Sequence, residues 1–453
     1  MIASSLPAQL PDLDWITDPT RVAKLSQDFN WYSPVLKAKL ENKTAEVVVR
    51  PKTEEEIASV VSACATSHIP ITLRGTGTGN YGQCVPLEGG LVMDMSAYNQ
   101  VLWIKDGTAR AQSGIRLIDF DKQAKPHGHE LRWIPSTFRS ATLGGLYGGG
   151  FGGAGSINYG PIASLGNILK VRVMSIDEKP QILEFEGQEA LNFHHTYGTN
   201  AIVLELEFAL APHVPWMEAI VCFDAFDEAL HFANDLSVGS GYMKKEVCFV
   251  SSSVTPYFTS LAAHLKPGAH AVLTLFAPSS LLGVQELTQK HKGQITYLKS
   301  AQDVEQSNRT LLEFTWNHTT LHALKVDKSL TYIQSGFDPS RYVEQIKALE
   351  SALKEEVLMH IEFIRTKEGA VNASGLQIVR FKDEKRLNEI MQIHRDHGVQ
   401  INNPHVFTLE DGKSANYLNP KVLSAKDQLD PQGLLNPGKL RTWHRKVSEP
   451  TQG

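Results

Sequence analysis

Ten consecutive residues, Arg74-Gly75-Thr76-Gly77-Thr78-Gly79-Asn80-Tyr81-Gly82-Gln83, constrain this chain more than any other stretch. Four glycines in so short a span let the backbone take positive φ repeatedly. Successive N–H groups can then converge into an anion-binding concavity, to which Thr76 and Thr78 add hydroxyl donors. A phosphate or pyrophosphate suits such a loop; a plain tight turn between strands is the competing reading. Gly77, Gly79 and Gly82 also fit the G-x-G-x-x-G fingerprint, which works only where a helix begins at the loop and turns its N-terminus toward the pyrophosphate. Pro86 and the pair Gly89-Gly90 follow instead and argue against a helix. A Rossmann unit is therefore disfavoured, although Asp94 lies at a tempting distance.

The surroundings predict a small α/β unit. Residues 1–42 are Pro-punctuated and read as a helical lead-in, with Leu10, Leu13, Trp15 and Ile16 as packing anchors and no functional role. Residues 45–49 form a β-branched strand, and Thr53 with Glu56 three residues later forms a capping box. Ile57, Val60, Val61 and Cys64 then make one apolar stripe at helical spacing. Residues 70–73 are a second strand feeding directly into the glycine loop, and strands at 91–95, 101–104 and 108–112 precede a helix at 115–124.

A second glycine tract follows Ile134-Pro135-Ser136-Thr137: Thr142-Leu143-Gly144-Gly145, then Gly148, Gly149, Gly150, Gly152, Gly153 and Gly155 before Ser156, Tyr159 and Gly160. So much glycine predicts no regular helix, each residue costing roughly 1 kcal/mol against alanine. The interspersed Leu143, Leu146, Tyr147, Phe151 and Ile157 demand burial, so the tract reads as ligand-lining backbone and not as a flexible linker. Strands at 169–175, 182–185 and 201–210 come after it.

With 453 residues the chain needs two or three folding units. A net charge of −5, with no basic run or Lys/Arg stripe, gives no electrostatic case for nucleic acid or an anionic membrane and leaves small molecules as the expected partners. Cys64, Cys84, Cys222 and Cys248 are scattered without C-x-x-C spacing, which suits reduced thiols. No signal sequence and no apolar window of spanning length is evident, so a cytoplasmic location is expected.

The separated motifs Arg74-Gly-x-Gly-Thr78-Gly, Pro135 with Thr142-x-Gly-Gly145, Gly152-Gly153-x-x-Ser156-x-x-Tyr159-Gly160 and Asp430-Pro-x-Gly-Leu-Leu-Asn-Pro-Gly-Lys439 resemble the FAD-linked oxidase family of the vanillyl-alcohol oxidase type. Within it they are most similar to the glycolate oxidase catalytic subunit and D-lactate dehydrogenase branch. The resemblance covers residues 43–212 and 425–440 well and the middle poorly. It implies an α+β fold: a lead-in at 1–42, a two-subdomain PCMH-type FAD-binding domain at 43–212, an α+β cap over the flavin at 213–400, and a C-terminal segment at 401–453 returning to the FAD site. It implies FAD contacts from Arg74, Gly75, Thr76, Gly77, Thr78, Gly79 and Gln83 around the pyrophosphate. Pro135, Ser136, Thr142, Gly144, Gly145, Gly152, Gly153 and Ser156 would line the flavin chain, Ile202 would offer backbone groups to the adenine, and Lys439 would close the site. Several members carry in the first loop a histidine covalently tied to the flavin; Thr78 stands there, so non-covalent FAD is expected. The cap of metal-binding members carries His-x-Gly-Asp-Gly-Asn-x-His, which is missing from this sequence, and no metal is assigned.

Oxidising an alcohol by flavin needs a carbon hydride aimed at the flavin, a base for the hydroxyl proton, and donors that hold the rest of the substrate. His405, in Asn402-Asn403-Pro404-His405, is the first choice of base from its position in the resemblance; a hydrogen-bonded loop histidine is the alternative. His318 and Trp316, within a span rich in polar and aromatic side chains, come second, and Arg380 could pair with a substrate carboxylate. His318 and His322, four apart, share a helix face without a third metal ligand. The expected function is FAD-dependent oxidation of a CH–OH group, a 2-hydroxy acid being preferred. A neutral alcohol, sugar or aldonolactone is the alternative, and a flavin-binding electron-relay subunit a further one. Dioxygen, a quinone or another flavoprotein could accept the electrons, and a homodimer is left open.

Overall fold

The computed structural model describes residues 2–412 and 419–443; the remainder of the expected C-terminal segment, 413–418 and 444–453, and Met1 of the lead-in lie outside the described residues. Three aliphatic strands buried on both faces, Val47–Val49, Leu91–Asp94 and Ile71–Arg74, pair in parallel in that order. Such strands need covered faces. The helix Glu54–Ser67 covers one by burying Ile57, Val60, Val61, Cys64 and Ala65. Thr53 caps it by accepting from Glu56 N–H at 3.2 Å, while the Glu56 carboxylate reaches back to Lys52 N–H at 2.6 Å, one residue short of the expected reciprocal box. His68, at φ 52°, ends it and turns the chain into Ile71–Arg74.

Beyond the glycine loop, Val101–Lys105, Thr108–Gln112, Ile202–Pro212, Ile168–Met174 and Ile182–Glu186 form an antiparallel sheet in that order, and His129–Leu131 pairs the far end of Ile202–Pro212. Between the sheets runs the second glycine tract. Contrary to expectation it contains a helix, Leu143–Gly149, which starts because Thr142 Oγ1 accepts from Gly145 N–H at 3.2 Å. Its glycines are there for proximity: a Cβ on Gly144 would lie 2.6 Å from the Ser113 Cβ.

An eight-stranded antiparallel sheet follows, in the order Gln294–Lys299, Met217–Phe223, His270–Phe276, Lys244–Val250, His360–Arg365, Val371–Gly375, Gln334–Gly336 and Gln400–Asn402. Helices Phe226–Val238, Leu281–Lys290, Tyr342–Leu353 and Glu384–Asp396 bury their apolar faces on one side of it. The opposite side, through Ile220, Cys248, Val250 and Leu273, shares one core with Trp133, Tyr147, Leu206 and Phe208 of the first half. A buried ion pair crosses that junction: Lys245 Nζ lies 2.6 Å from Glu130 Oε1, and Glu130 also accepts from Trp216 Nε1 at 2.8 Å. Burial works against the Glu130 charge, but Lys245, Trp216 and His213 together hold its carboxyl below the usual range.

The C-terminal motif docks on the edge of the parallel sheet. Leu434 and Asn436 exchange backbone hydrogen bonds with Ile71 at 2.8 and 2.7 Å, and Asp430 accepts from the N–H groups of Leu434 and Leu435. Asp94 is occupied by Arg50 at 3.0 Å and by Ser96 N–H, and no helix follows the loop before it. Both findings agree with rejection of the Rossmann reading.

Candidate functional site

The glycine loop, the second glycine tract, residues 191–203 and the near edge of the eight-stranded sheet enclose a cavity of about 780 Å³. Arg74 shapes its floor from below. The guanidinium is buried and turned away from the cavity, donating to Leu25 O at 3.0 Å, Gln27 O at 2.6 Å and Thr76 O at 3.1 Å. Lead-in residues, expected to carry no function, thus hold the loop; Phe29 N–H also donates to Gly79 O at 2.8 Å. Gly77 sits at φ 70°, and a Cβ there would lie 2.2 Å from the Arg74 guanidinium.

The two glycine segments are bolted together. Thr76 Oγ1 donates to Ser140 O at 2.8 Å and Gln83 Nε2 to Gly149 O at 2.6 Å. Gly75 leaves room for Thr142: a Cβ would fall 2.2 Å from Thr142 Oγ1. Beneath the loop Lys439 Nζ, fully buried, donates to Gly82 O at 2.6 Å. Burial pulls the Lys439 ammonium down to about 8, with Asp28 opposing. Burial likewise pushes Asp28 up against the charges of Lys439 and Arg74. Two basic groups and one acid thus lie beneath the loop, and both basic groups donate to loop carbonyls.

Most of the expected cofactor residues line this cavity: Arg74, Gly75, Thr76, Gly77, Thr78, Gly79 and Gln83 from the first loop, and Pro135, Ser136, Thr142, Gly144, Gly145 and Gly152 from the second tract. Four do not, and each has a physical reason. Gly153 packs on Ile134, where a Cβ would meet the carbonyl at 2.2 Å, and Ser156 Oγ accepts from Gly153 N–H at 3.1 Å. Ile202 points into the core while its neighbours Ala201 and Val203 face the cavity. Lys439 acts from behind Gly82. Two buried oxygens on the lining, Gln83 Oε1 and Ser113 Oγ, have no protein hydrogen-bond partner, so the walls present polar groups that a bound dinucleotide would satisfy.

Of the four expected catalytic residues only Trp316 reaches the cavity. His405 is buried beside it with both ring nitrogens engaged, Nδ1 with Ser33 Oγ at 2.8 Å and Nε2 with Tyr332 O at 2.9 Å. Burial drives its pKa down to about 4, so the ring is a neutral bridge between lead-in and cap. His318 lies on the helix Asn317–Val326, off the lining, and burial also holds it near 4. His322 stacks on Phe314 at 4.4 Å, and its Nε2 lies 3.0 Å from Glu313 O. Arg380 ends the strand Ile378–Arg380 and is exposed, away from the cavity.

The cap and the start of the C-terminal segment contribute what sequence reasoning missed: Asn317, Gln334, Asn372 and Gln400, joined by Asn402 and Asn403, make an amide wall, beside Ser335 and Ser374. They come from a helix start, three strands and a loop residue, with no motif to mark them. Tyr81, inside the loop, was within reach of sequence reasoning. It faces Gln334 and Tyr332, and burial lifts its phenol to about 12, so it is a neutral hydrogen-bonding hydroxyl.

Comparison with known proteins follows the same lines. Residues 45–181 match a family described as an FAD binding domain. The chain is 24% identical over 426 residues to the glycolate oxidase subunit GlcD of Bacillus subtilis, covering 87% of this chain and 88% of that protein. With the GlcD subunit of Escherichia coli it shares 27% over 195 residues, only 38% of that protein's length and 40% of this chain. A D-lactate dehydrogenase of Archaeoglobus fulgidus is 27% identical over 193 residues, 41% of this chain and 43% of that protein. Among solved structures, an alkyldihydroxyacetonephosphate synthase superposes with a TM-score of 0.71 at 16% identity, over 96% of this chain and 85% of that one, which shows a shared fold.

Proposed function

Because residues 45–181 of this chain are an FAD-binding domain, we propose that the protein is an FAD-dependent oxidoreductase that oxidises a hydroxyl-bearing carbon in the cavity between that domain and a cap formed by residues 213–400. The carrying observation is the glycine-walled cavity itself, lined by the backbone of both glycine segments and by an amide wall. FAD, when bound, supplies the hydride acceptor.

The chain's own residues do the rest. Backbone N–H groups of 75–79, with Lys439 and Arg74 beneath them, hold the pyrophosphate. Thr142 and the glycines at 144, 145 and 152 let the flavin chain lie against backbone, and Ala201 and Val203 flank the adenine end. Asn317, Gln334 and Gln400 orient the substrate, Trp316 closes the far wall, and Tyr81 Oη, protonated at neutral pH, hydrogen-bonds the substrate hydroxyl. His405 serves as a positioning residue that ties Ser33 to Tyr332.

The relatives' names, glycolate oxidase and D-lactate dehydrogenase, support a 2-hydroxy acid as substrate. One observation favours a neutral alcohol, sugar or lactone as a second reading. Among the described lining residues Arg74 is the one Lys or Arg, and its guanidinium is turned away. Anaerobic bleaching of the bound flavin by glycolate, D-lactate, glycerol and an aldonolactone tests both. A purified protein that is colourless and gains no flavin absorbance on adding FAD refutes the proposal outright; reoxidation by air, or its failure, then separates dioxygen from other acceptors.

A further inference from the structure

Behind Trp316 lies a group of side chains that the proposed reaction does not use. Glu246 and Glu362 sit on neighbouring strands, Lys244–Val250 and His360–Arg365, whose register sets Cys248 opposite Glu362. Both carboxyls are buried, at 2% and 0% exposure, which makes an uncompensated charge there prohibitive. Trp316 bonds to both: its backbone N–H donates to Glu362 Oε1 at 2.5 Å and its indole Nε1–H to Glu246 Oε2 at 2.9 Å. The same Trp316 lines the cavity and stands at φ 51°, a conformation that a bulky residue keeps only when its surroundings impose it.

The groups facing the pair explain its protonation. From the strand of Glu246 comes Cys248, from the strand of Glu362 comes His360, whose Nε2 Thr319 Oγ1 meets at 3.3 Å, and the Thr274 hydroxyl donates to the Glu246 backbone carbonyl. No Lys or Arg acts on either carboxyl, and Lys245, the adjacent residue, is turned to Glu130. Burial pushes both carboxyls up, and for Glu246 the charge of Glu362 adds to it. Burial keeps His360 neutral, near 4. Glu362 also interacts with the Glu246 carboxyl and with the Cys248 thiol. Cys248, His360 and Glu362 bring ligand atoms within 4.8 Å of one another. However, His360 Nε2 is 2.8 Å from Glu362 Oε1, closer than the roughly 3.3 Å between two ligands on one tetrahedral zinc. Direct hydrogen bonding, not a shared ion, fits that spacing: His360 Nδ1 donates to Leu376 O at 3.1 Å, so the neutral ring accepts at Nε2 and the pair's proton is donated from Glu362.

We propose that Glu246 and Glu362 share one proton and clamp Trp316 from behind through its two N–H groups, so that the indole is a fixed, specificity-determining wall of the substrate chamber whose set follows the protonation of the pair. This rests on the cavity being the substrate chamber, as proposed above. The glutamates are positioning residues, since neither is exposed to the cavity. The second proton is the one that matters: losing the shared proton would leave two adjacent carboxylates in the interior, and their repulsion would release one of the Trp316 bonds.

The test follows the Trp316 fluorescence of the FAD-loaded protein, taken as wild type minus Trp316→Phe, across pH. The expected result is a single step above the ordinary carboxylate range that disappears in Glu362→Gln, which keeps an oxygen for the Trp316 N–H, while FAD content stays unchanged. Glu246→Gln should also remove the step and raise KM on the order of tenfold, about 1.4 kcal/mol, with kcat moving less, for whichever compound bleaches the flavin. A flat Trp316 signal, a step that survives in both glutamine variants, or a stoichiometric metal lost in Cys248→Ser overturns the clamp. A titrating Trp316 in a protein whose flavin no hydroxy compound bleaches supports the clamp and overturns the function reading instead.

Discussion

Replacing Gly77 by alanine attacks the FAD loop where the structure leaves least freedom. Gly77 is at φ 70°, and a Cβ would lie 2.2 to 2.4 Å from three atoms of the Arg74 guanidinium. A left-handed conformation costs a non-glycine residue about 1–2 kcal/mol. The guanidinium cannot simply swing aside, because Leu25 O, Gln27 O and Thr76 O hold it in a buried site. Losing two of those charge-assisted bonds costs about 1.5–3 kcal/mol each, so Gly77→Ala should cost about 4–8 kcal/mol, a large part of the roughly 5–15 kcal/mol that holds a domain folded. If the loop yields locally and the fold survives, FAD affinity falls by about three decades or more at 1.4 kcal/mol per decade. Flavin absorbance per chain after gel filtration, FAD titration of the stripped protein and thermal melting measure the outcome. The decisive control is Arg74→Met. With the guanidinium gone, Gly77→Ala should cost only the about 1–2 kcal/mol of backbone strain, giving a coupling of about 3–6 kcal/mol between two residues in contact. Full FAD occupancy in Gly77→Ala, or an equal cost in both backgrounds, would refute the reasoning.

Other perturbations separate the remaining roles. His405→Ala removes two hydrogen bonds and opens a cavity, so it should lower stability by about 2–4 kcal/mol in thermal melts while the rate of flavin reduction in FAD-loaded protein stays within a few-fold; a thousandfold loss would restore His405 as the base. Lys245→Met strands Glu130 without its cation and should cost about 3–5 kcal/mol, whereas Lys245→Met with Glu130→Leu should recover most of it in denaturant titrations. Glu218, buried against Thr310 and the Leu311 N–H, is pushed by burial from 4.5 to about 7. The folded state then holds a proton that the unfolded state has lost, so this group's stability falls as pH rises from 4.5 to 7. Glu218→Gln should therefore stabilise the protein by about 2–3 kcal/mol at about pH 8 and by nothing at about pH 4. His318, His360, His394 and His405 act with the opposite sign: burial depresses each to about 4 from 6.5, so their stabilisation is complete above 6.5 and drains away as pH falls toward 4. Melting temperature against pH for Glu218→Gln should keep the wild-type decline on the acid side and lose part of the decline toward alkaline pH, the rest of which belongs to other buried carboxyls such as Glu362.

Local chemistry made the cofactor half of the protein legible. Two glycine tracts, Thr53 as a helix cap, the β-branched strands at 47–49 and 71–74 and the missing helix after Gly82 are properties of neighbouring residues, and the chain folds there as their propensities dictate. The local reading that failed most plainly, the helix Leu143–Gly149 through four glycines, failed because closeness to Ser113, thirty-one residues away from Gly144, outweighs glycine's poor helix propensity. Only the tertiary structure decided which polar side chains face the ligand. His405 looked like a base until Ser33, 372 residues earlier, and Tyr332 took its nitrogens. Arg74 and Lys439 read as ligand contacts, yet both hold the loop from beneath. The amide wall and the Glu246–Glu362 pair behind Trp316 leave no spacing in the sequence, because the fold gathers the wall from separate elements between residues 317 and 403 and antiparallel pairing brings Glu246 beside Glu362, 116 residues later. A backbone loop is encoded where it lies, whereas the protonation and reach of a side chain are set by whatever the fold packs around it.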